Sequence, residues 1–250
     1  MAEQIDYGID SPAIVAGLFL IGCIGLGTAL LLHFFLRSHL FWQSVLLTIG
    51  VYFLFGAVGM IRYSRVGKLE IRDQVMELTS WRGDGMVLDV GCGRGLFLVG
   101  AAQRMNSGKA IGLDRWVRGA LTGNNPESVL NNAKIAGVGE RVALTHGDVR
   151  DLPFADNTFD LVLSNFVVHE VNTREEREQM LREMVRVLKP GARVALVDFI
   201  FTGHCLEALR EAGITDARKI RAGSFFSFWF GAVMNLGLVR THVVTGSKPT

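Results

Sequence analysis

The sequence LDVGCGRG, residues 88–95, decides how the long C-terminal part of the chain folds. A short apolar run, Met86 to Val90, predicts a buried strand that leads directly into these glycines, and Leu96 to Met105 predicts a helix directly after them. Glycines at alternate positions let a backbone approach a ligand closely. The N-terminus of a helix also favours anionic groups. The stretch therefore indicates a strand, loop and helix whose loop binds a small ligand.

Strands and helices alternate along the rest of this region. Further strands are predicted at 110–113, 142–145, 161–164, 193–197, 217–221 and 239–245. Helices are predicted at 64–79, 128–136, 174–188 and 206–212. This alternation predicts an α/β fold with a doubly wound, parallel, seven-stranded Rossmann-like sheet. In such sheets ligands bind at the carboxyl ends of the strands, where the strand order reverses.

Polar residues follow the other predicted strands at that edge. Asp114 ends the second strand about twenty residues after the glycines, where a carboxylate can accept both ribose hydroxyls of a nucleotide. Asp148 follows the third strand, and a carboxylate beside backbone amides can read the amino edge of adenine. The fourth strand ends at Ser164 and Asn165. The pattern indicates a nucleoside-containing ligand.

The glycine spacing distinguishes two classes of cofactor. The nicotinamide fingerprint GxGxxG needs a third glycine at position 96, and this sequence has Leu96 there. The pattern is GxGxG instead. A nicotinamide-dependent oxidoreductase is therefore an alternative that the glycine spacing opposes.

Together these motifs resemble class I S-adenosylmethionine-dependent methyltransferases, of the methyltransferase type 11-like group, over about residues 65 to 250. The resemblance also includes LPF at 152–154, FD at 159–160 and VLKPG at 187–191. It implies S-adenosyl-L-methionine as cofactor and methyl transfer as reaction. The residues that it implicates in cofactor binding are Asp89, Gly91, Cys92, Gly93, Asp114, Asp148, Val149, Ser164 and Asn165.

Two further residues are candidates for the chemistry. His169 follows the fourth strand, near the expected acceptor position, and a histidine of near-neutral pKa can take a proton from a phenol or enol. We expect His169 to be the catalytic residue if the acceptor is a hydroxyl, with a packing histidine as the alternative. Asp198 ends the fifth strand and is the second candidate. The three cysteines are far apart, so no metal site is expected.

The N-terminal part of the chain has a different composition. From residue 11 to residue 61 the only formal charge is Arg37. Ala13 to Leu32 and Phe41 to Ile61 are apolar runs of about 20 residues, and a helix of that length spans the hydrocarbon core of a bilayer. A signal peptide needs a basic flank, whereas this flank is acidic. The composition therefore predicts a two-helix transmembrane hairpin, with a buried hairpin of a soluble protein as the alternative.

The flanking charges predict the orientation of this hairpin. Four cations follow the second run, Arg62, Arg65, Lys68 and Arg72, whereas the turn has one. By the positive-inside rule both termini are cytoplasmic. The predicted organisation is a tail at 1–12, a hairpin at 13–61 with spans at about 13–36 and 41–61, and a cytoplasmic methyltransferase domain at 62–250.

The expected protein is a membrane-anchored methyltransferase that acts on a small, lipophilic or membrane-associated acceptor, with membrane lipid as its second partner. The segment 225–230 has five aromatic residues in six positions, which suits a membrane interface. This segment and the hairpin resemble a membrane-anchored bacterial subgroup. A net charge of +2 opposes a nucleic-acid partner. The remaining alternative is a non-catalytic, membrane-tethered binding scaffold.

Overall fold

Two long apolar helices begin the chain. The computed structural model describes residues 4–36, 40–117, 121–223 and 240–250. Helix α1 (Pro12–Leu31) and helix α2 (Leu40–Arg62) are each followed by a π-helical turn, at Leu32–Leu36 and Tyr63–Gly67. Helix α3 (Lys68–Thr79) continues from the second turn. The charged turn at 37–39 and the aromatic segment at 225–230 lie outside the described residues.

Helices α1 and α2 pack against each other through glycines. A Cβ atom on Gly25 would lie 3.1 Å from the Cα of Gly50. A Cβ atom on Gly50 would lie 2.8 Å from the backbone nitrogen of Leu26. Small residues at such positions let two apolar helices approach closely. The two helices therefore form a tight hairpin.

The outer surface of the hairpin is apolar and is not covered by protein. The helical stretches Pro12–Phe34 and Leu40–Thr79 contain windows long and apolar enough to cross a membrane, and only 17% and 22% of those windows are buried. Phe19, Leu20 and Leu40 on this surface are 57%, 60% and 77% exposed. An uncovered apolar surface of this size marks a membrane or protein contact.

A seven-stranded sheet forms the centre of the rest of the chain, which confirms the predicted fold class. Its strands are β1 (Met86–Val90), β2 (Lys109–Asp114), β3 (Val142–His146), β4 (Phe159–Asn165), β5 (Leu188–Asp198), β6 (Arg218–Arg221) and β7 (His242–Ser247). The spatial order is β3-β2-β1-β4-β5-β7-β6. The order reverses between β1 and β4, so the carboxyl ends of these two strands border the ligand crevice.

The sheet is mixed rather than wholly parallel, which corrects one sequence expectation. Strands β1 to β5 pair in parallel, whereas β7 is antiparallel to both β5 and β6. Strand β7 lies between β5 and β6 in the sheet and runs in the opposite direction to both. Apolar periodicity gives the existence of a strand but not its direction.

Helices cover both faces of the sheet. Besides α3, they are α4 (Leu96–Ala102), α5 (Pro126–Ile135), α6 (Arg174–Val187) and α7 (Thr202–Glu211). Adjacent residues of β4 point to opposite faces: Leu161 and Leu163 pack with α3 and α4, and Val162 packs with α6 and α7. Two apolar layers therefore hold the strand ends in fixed positions.

The tail before α1 is bound to the domain. The ammonium group of Lys68 is almost fully buried and donates to the carbonyl oxygens of Tyr7 and Gly8 at 2.9 and 2.7 Å. It also lies 3.4 Å from a carboxylate oxygen of Asp10. The backbone nitrogen of Asp10 donates to the hydroxyl of Ser64 at 3.0 Å. The start of α1 and the end of α2 are therefore joined on the same side of the hairpin as the domain.

Lys68→Met is expected to loosen this tail. The substitution keeps the apolar stem but leaves two carbonyl groups without their buried donor, and each such loss costs about 1–3 kcal/mol. Hydrogen–deuterium exchange of a peptide covering residues 5–10 is expected to become faster. Lys134→Met, an exposed lysine on α5, is the matched control and should leave that exchange unchanged. Equal exchange in both variants would contradict the role of Lys68.

Candidate active site

The loop between β1 and α4 has a backbone that requires glycine. Gly91 and Gly93 have φ angles of 74° and 54°, in the left-handed region that side chains disfavour. A side chain at Gly91 would also collide with Val167. The backbone nitrogens of Gly91 and Cys92 both donate to the carbonyl oxygen of Leu113 in β2. Hydrogen bonds to β2 therefore fix the backbone of the loop, and its glycines place no side chains at the crevice.

Asp89 lies behind this loop and is 1% exposed. Its Oδ2 atom accepts a hydrogen bond from the backbone nitrogen of Leu98 at 2.8 Å, which caps the first turn of α4. Its Oδ1 atom is buried without a partner among the described residues. Burial raises the pKa of Asp89 to about 7, against the opposing hydrogen bond from Leu98. An unpaired buried acceptor behind a glycine loop fits a ligand that carries a positive or N–H group.

Asp114 at the end of β2 organises the same loop. Its Oδ2 atom accepts from the backbone nitrogen of Gly93 at 2.8 Å, and its Oδ1 atom accepts from that of Trp116 at 2.6 Å. The indole nitrogen of Trp116 donates to the carbonyl oxygen of Gly93 at 3.1 Å. The sequence pattern did not indicate Trp116, although this residue follows a strand end, and its backbone has a rare positive φ of 47°.

Asp148, after β3, is bound to arginines. Its Oδ1 atom accepts from the backbone nitrogen and Nε of Arg150, both at 2.9 Å. Its Oδ2 atom lies 2.6 Å from Arg150 and 3.4 Å from Arg115. The side-chain hydrogen bond from Arg150 lowers the pKa of Asp148 to about 2, against partial burial. Val149 next to it packs on the apolar layer of α6 and α7. An adenine amino group at Asp148 must therefore share the carboxylate with these arginines.

Of the remaining predicted residues, Ser164 and Cys92 are buried and Asn165 is half-buried. The hydroxyl of Ser164 is buried and donates to the carbonyl oxygen of Val90 at 2.9 Å, so it joins β4 to β1. Asn165 is half-buried at the end of β4. Cys92 is buried, and burial raises the pKa of its thiol well above the usual value. In the described part of the chain, no group of three or more metal-ligating side chains occurs.

His169 and Asp198, predicted separately, lie in contact. Asp198 ends β5 and is fully buried, and His169 lies on the short turn Val168–Glu170 after β4. The Nδ1 atom of His169 is 3.2 Å from both carboxylate oxygens of Asp198. The backbone nitrogen of His169 also donates to Asp198 at 3.2 Å. The carboxylate of Asp198 thus binds both the imidazole ring and the backbone of His169.

The charges around His169 favour its protonated form. Burial lowers the pKa of His169. The hydrogen bond and charge of Asp198, together with those of Glu170, raise the pKa by more than burial lowers it, so the net pKa is above the usual value. A carboxylate only accepts hydrogen bonds, so Nδ1 carries a proton towards Asp198. The Nε2 atom, which lies 3.2 Å from the exposed side chain of Glu170, is the atom that exchanges a proton.

Aromatic side chains surround this pair. The ring centroid of Phe199 lies 4.8 Å from that of His169 and 5.8 Å from that of Phe166. Phe166 is also 6.3 Å from His169 and 6.3 Å from Tyr63. Phe166 and Phe201 have positive φ angles of 54° and 57°. Such strain in bulky residues after strand ends is typical of functional sites, but no sequence pattern indicated either residue.

The comparisons with known proteins agree with this geometry. The family described as a methyltransferase domain matches residues 88–196, which run from β1 to β5. Residues 88–196, less than half of the chain, therefore match a methyltransferase domain. The crystal structure of a SAM-dependent methyltransferase from Aquifex aeolicus has the same fold, with a TM-score of 0.54 and 20% identity. That match covers 74% of this chain and 91% of the other. The helices α1 to α3 precede the matched residues.

Two curated relatives are similar to the methyltransferase domain. A demethylmenaquinone methyltransferase of Lactiplantibacillus plantarum is 35% identical over 130 residues, which is 51% of this chain and 50% of that protein. A 27-O-demethylrifamycin SV methyltransferase of Amycolatopsis mediterranei is 31% identical over 153 residues, 60% of this chain and 50% of that protein. The chain thus spans about half the length of these relatives.

Asp114→Ala is expected to weaken the binding of S-adenosylmethionine by roughly 5- to 150-fold. This range corresponds to about 1–3 kcal/mol for partners left without hydrogen bonds. Isothermal calorimetry on the full-length protein measures it. Asp114→Asn keeps an acceptor for the Gly93 nitrogen and separates loss of loop order from loss of the charge. Glu140→Ala, on an exposed turn after α5, is the control. Unchanged affinity in Asp114→Ala would refute a ribose contact.

Proposed function

We propose that the protein transfers the methyl group of S-adenosylmethionine to a hydroxyl oxygen of a small lipophilic acceptor at a membrane surface. The observation that carries this proposal is the contact between His169 and the buried Asp198, beside aromatic rings at the carboxyl edge of the sheet. The methyltransferase family supports the reaction class. The relatives named for demethylmenaquinone and 27-O-demethylrifamycin SV support a small-molecule acceptor.

The residues around the glycine loop suit this methyl donor. S-adenosylmethionine supplies a methyl group on a positively charged sulfur, and the carboxylates at this edge favour a cation. Asp89, Gly91 and Gly93 would hold its methionine part, and Asp114 its ribose. Asp148 and Val149 would hold its adenine, with Trp116 beside the loop. Asn165 remains the candidate on the methyl-donor side of β4. Ser164 and Cys92 would act by fixing the strand and the loop, because their polar atoms are buried behind the crevice.

His169 is the proposed base for the acceptor hydroxyl. As the acceptor oxygen takes the methyl group, its proton passes to Nε2 of His169. Asp198 keeps Nδ1 protonated and stabilises the resulting imidazolium charge. The side chain of Glu170 must leave Nε2 for the acceptor to reach it. That movement costs little, because an exposed ion pair contributes only about 0–1 kcal/mol.

The hairpin is the proposed membrane anchor. Helices α1 and α2 have apolar surfaces that protein does not cover, and four cations lie at and just after the end of α2, on the domain side. The contact between Asp10 and Ser64 brings both ends of the hairpin to that side. Two spans with cytoplasmic ends satisfy the positive-inside rule. An anchored domain also meets lipophilic acceptors where they concentrate.

His169→Ala is expected to abolish methyl transfer without loss of donor binding. Removal of a positioned base typically costs about 10²- to 10⁴-fold in rate. The assay uses full-length protein in native membranes with radiolabelled methyl donor, followed by separation of organic and aqueous phases. Label in the organic phase that His169→Ala loses and the control His204→Ala keeps is the expected result. Label only in the aqueous phase or in protein would refute the lipophilic acceptor. Donor binding without transfer of label by the wild type would favour the scaffold alternative.

The rate of transfer is expected to rise with pH around a midpoint above 6.5, the ordinary pKa of histidine. The base must be neutral to take a proton, and Asp198 and Glu170 hold the pKa of His169 above that value. Asp198→Asn removes a negative charge, so it should move the midpoint to lower pH while slowing transfer. The measurement is the pH profile of kcat/KM for both proteins. A midpoint that does not move in Asp198→Asn would argue against His169 as the titrating group.

A further inference from the structure

Tyr63 lies where the second apolar helix meets the methyltransferase domain. It is the first residue of the π-helical turn after α2. Its ring contacts Phe166, which in turn contacts both His169 and Phe199. A continuous row of aromatic rings therefore runs from the end of α2 to the proposed base.

The hydroxyl group of Tyr63 is buried and has no hydrogen-bond partner among the described residues. A buried hydroxyl without a partner loses its bonds to water, which costs about 1–3 kcal/mol, so such groups are rare. The neighbouring Ser64 is fully paired, because its hydroxyl accepts from the backbone of Asp10 and donates to its carboxylate at 2.9 Å. The hydroxyl of Tyr7 is also buried and unpaired among the described residues, so it is the position of Tyr63 in the aromatic row that relates its hydroxyl to the acceptor.

The charges that act on the Tyr63 hydroxyl include that of the carboxylate that binds His169. Burial raises the pKa of Tyr63 well above its usual value, and the charges of Asp10 and Asp198 raise it further. The hydroxyl is therefore within electrostatic reach of the same carboxylate that binds His169. It stays protonated at neutral pH, so it is a hydrogen-bond donor and not a second base.

We infer that the hydroxyl of Tyr63 binds a second oxygen atom of the acceptor, while His169 takes the proton of the reacting hydroxyl. This inference rests on the acceptor site of the proposed function. Tyr63 contributes binding and orientation, and the proton and the methyl group move elsewhere. The acceptor is thus held at two oxygens within one row of aromatic rings.

The inference defines a class of acceptor. The molecule carries one hydroxyl to be methylated and a second oxygen with a free lone pair. The rings of Phe166 and Phe199 favour a flat aromatic body, which they can contact by its edge or face. The location of Tyr63 at the end of an apolar helix favours a body with an apolar tail. A lipophilic dihydroxyarene has all of these features.

Tyr63→Phe tests the inference because it removes one oxygen atom and keeps the ring. The control is Tyr7→Phe, whose hydroxyl is also buried and whose ring packs in the same apolar layer. The charges that act on Tyr7 are those of Arg72 and Asp73 on α3, not that of Asp198. The probes are 2-decyl-1,4-dihydroxybenzene and 2-decylphenol, which differ by one oxygen. Binding is measured by tryptophan fluorescence in phosphatidylcholine nanodiscs, with S-adenosylhomocysteine present so that no methyl group is transferred.

The wild type is expected to bind the diol roughly tenfold more tightly than the phenol, the effect of one hydrogen bond and one rescued buried donor. Tyr63→Phe should remove this difference and leave the thermal midpoint unchanged or raised. Tyr7→Phe should keep the difference. Equal affinities for the two probes, no binding of either, or a preference that survives in Tyr63→Phe would overturn the inference. A loss of S-adenosylhomocysteine affinity in Tyr63→Phe would also overturn it, because the hydroxyl would then serve the cofactor.

This design distinguishes the inference from the proposed function. The binding measurement needs no turnover, so a Tyr63-dependent preference for the diol supports the inference whether or not the methyl group is transferred. Transfer of radiolabel to an extracted acceptor, lost in His169→Ala, tests the reaction alone. A wild type that prefers the diol but transfers no label would contradict the reaction and retain the binding role of Tyr63.

Discussion

Carboxylates at the ends of three strands hold the loops of the candidate site. Asp89 in β1 accepts from the backbone nitrogen of Leu98, and Asp114 in β2 accepts from that of Gly93. Asp198 in β5 accepts from the backbone nitrogens of His169 and of the two residues after itself. Backbone donors beside a buried carboxylate are charge-assisted and strong. The glycine loop and the proposed base therefore depend on the same kind of interaction, and the sheet fixes the distance between them.

Much of this arrangement could be predicted from the sequence, because strands and strand ends are local features. The apolar run before the glycines gave β1, and acidic residues at strand ends gave Asp114 and Asp198. The contact between His169 and Asp198 could not be predicted. It depends on the pairing of β4 with β5, which periodicity does not contain. The positive φ angles of Trp116 and Phe166 were also missed, because tertiary contacts impose them on residues that do not favour them.

The contacts of the N-terminal tail are a second feature that the sequence pattern does not predict. Its sequence is short and mixed, and periodicity predicts no element there. In the structure Lys68 binds two of its carbonyl groups, and Arg94 of the glycine loop lies 3.0 Å from the carboxylate of Asp6. The tail thus contacts both the end of the hairpin and the loop proposed to bind the cofactor. The burial of Lys68 could not be predicted from the sequence, because its partners are backbone atoms about sixty residues away.

The start of the π-helical turn Tyr63–Gly67 contacts both the aromatic row of the candidate site and the N-terminal tail. Single π-helical turns of this kind are frequent at functional sites. Tyr63 at the start of this turn faces the aromatic row, and Ser64 beside it pairs with the tail. Any tilt of α2 relative to the domain would disturb both contacts together. The hairpin is therefore built into the candidate site rather than attached to it by a flexible linker.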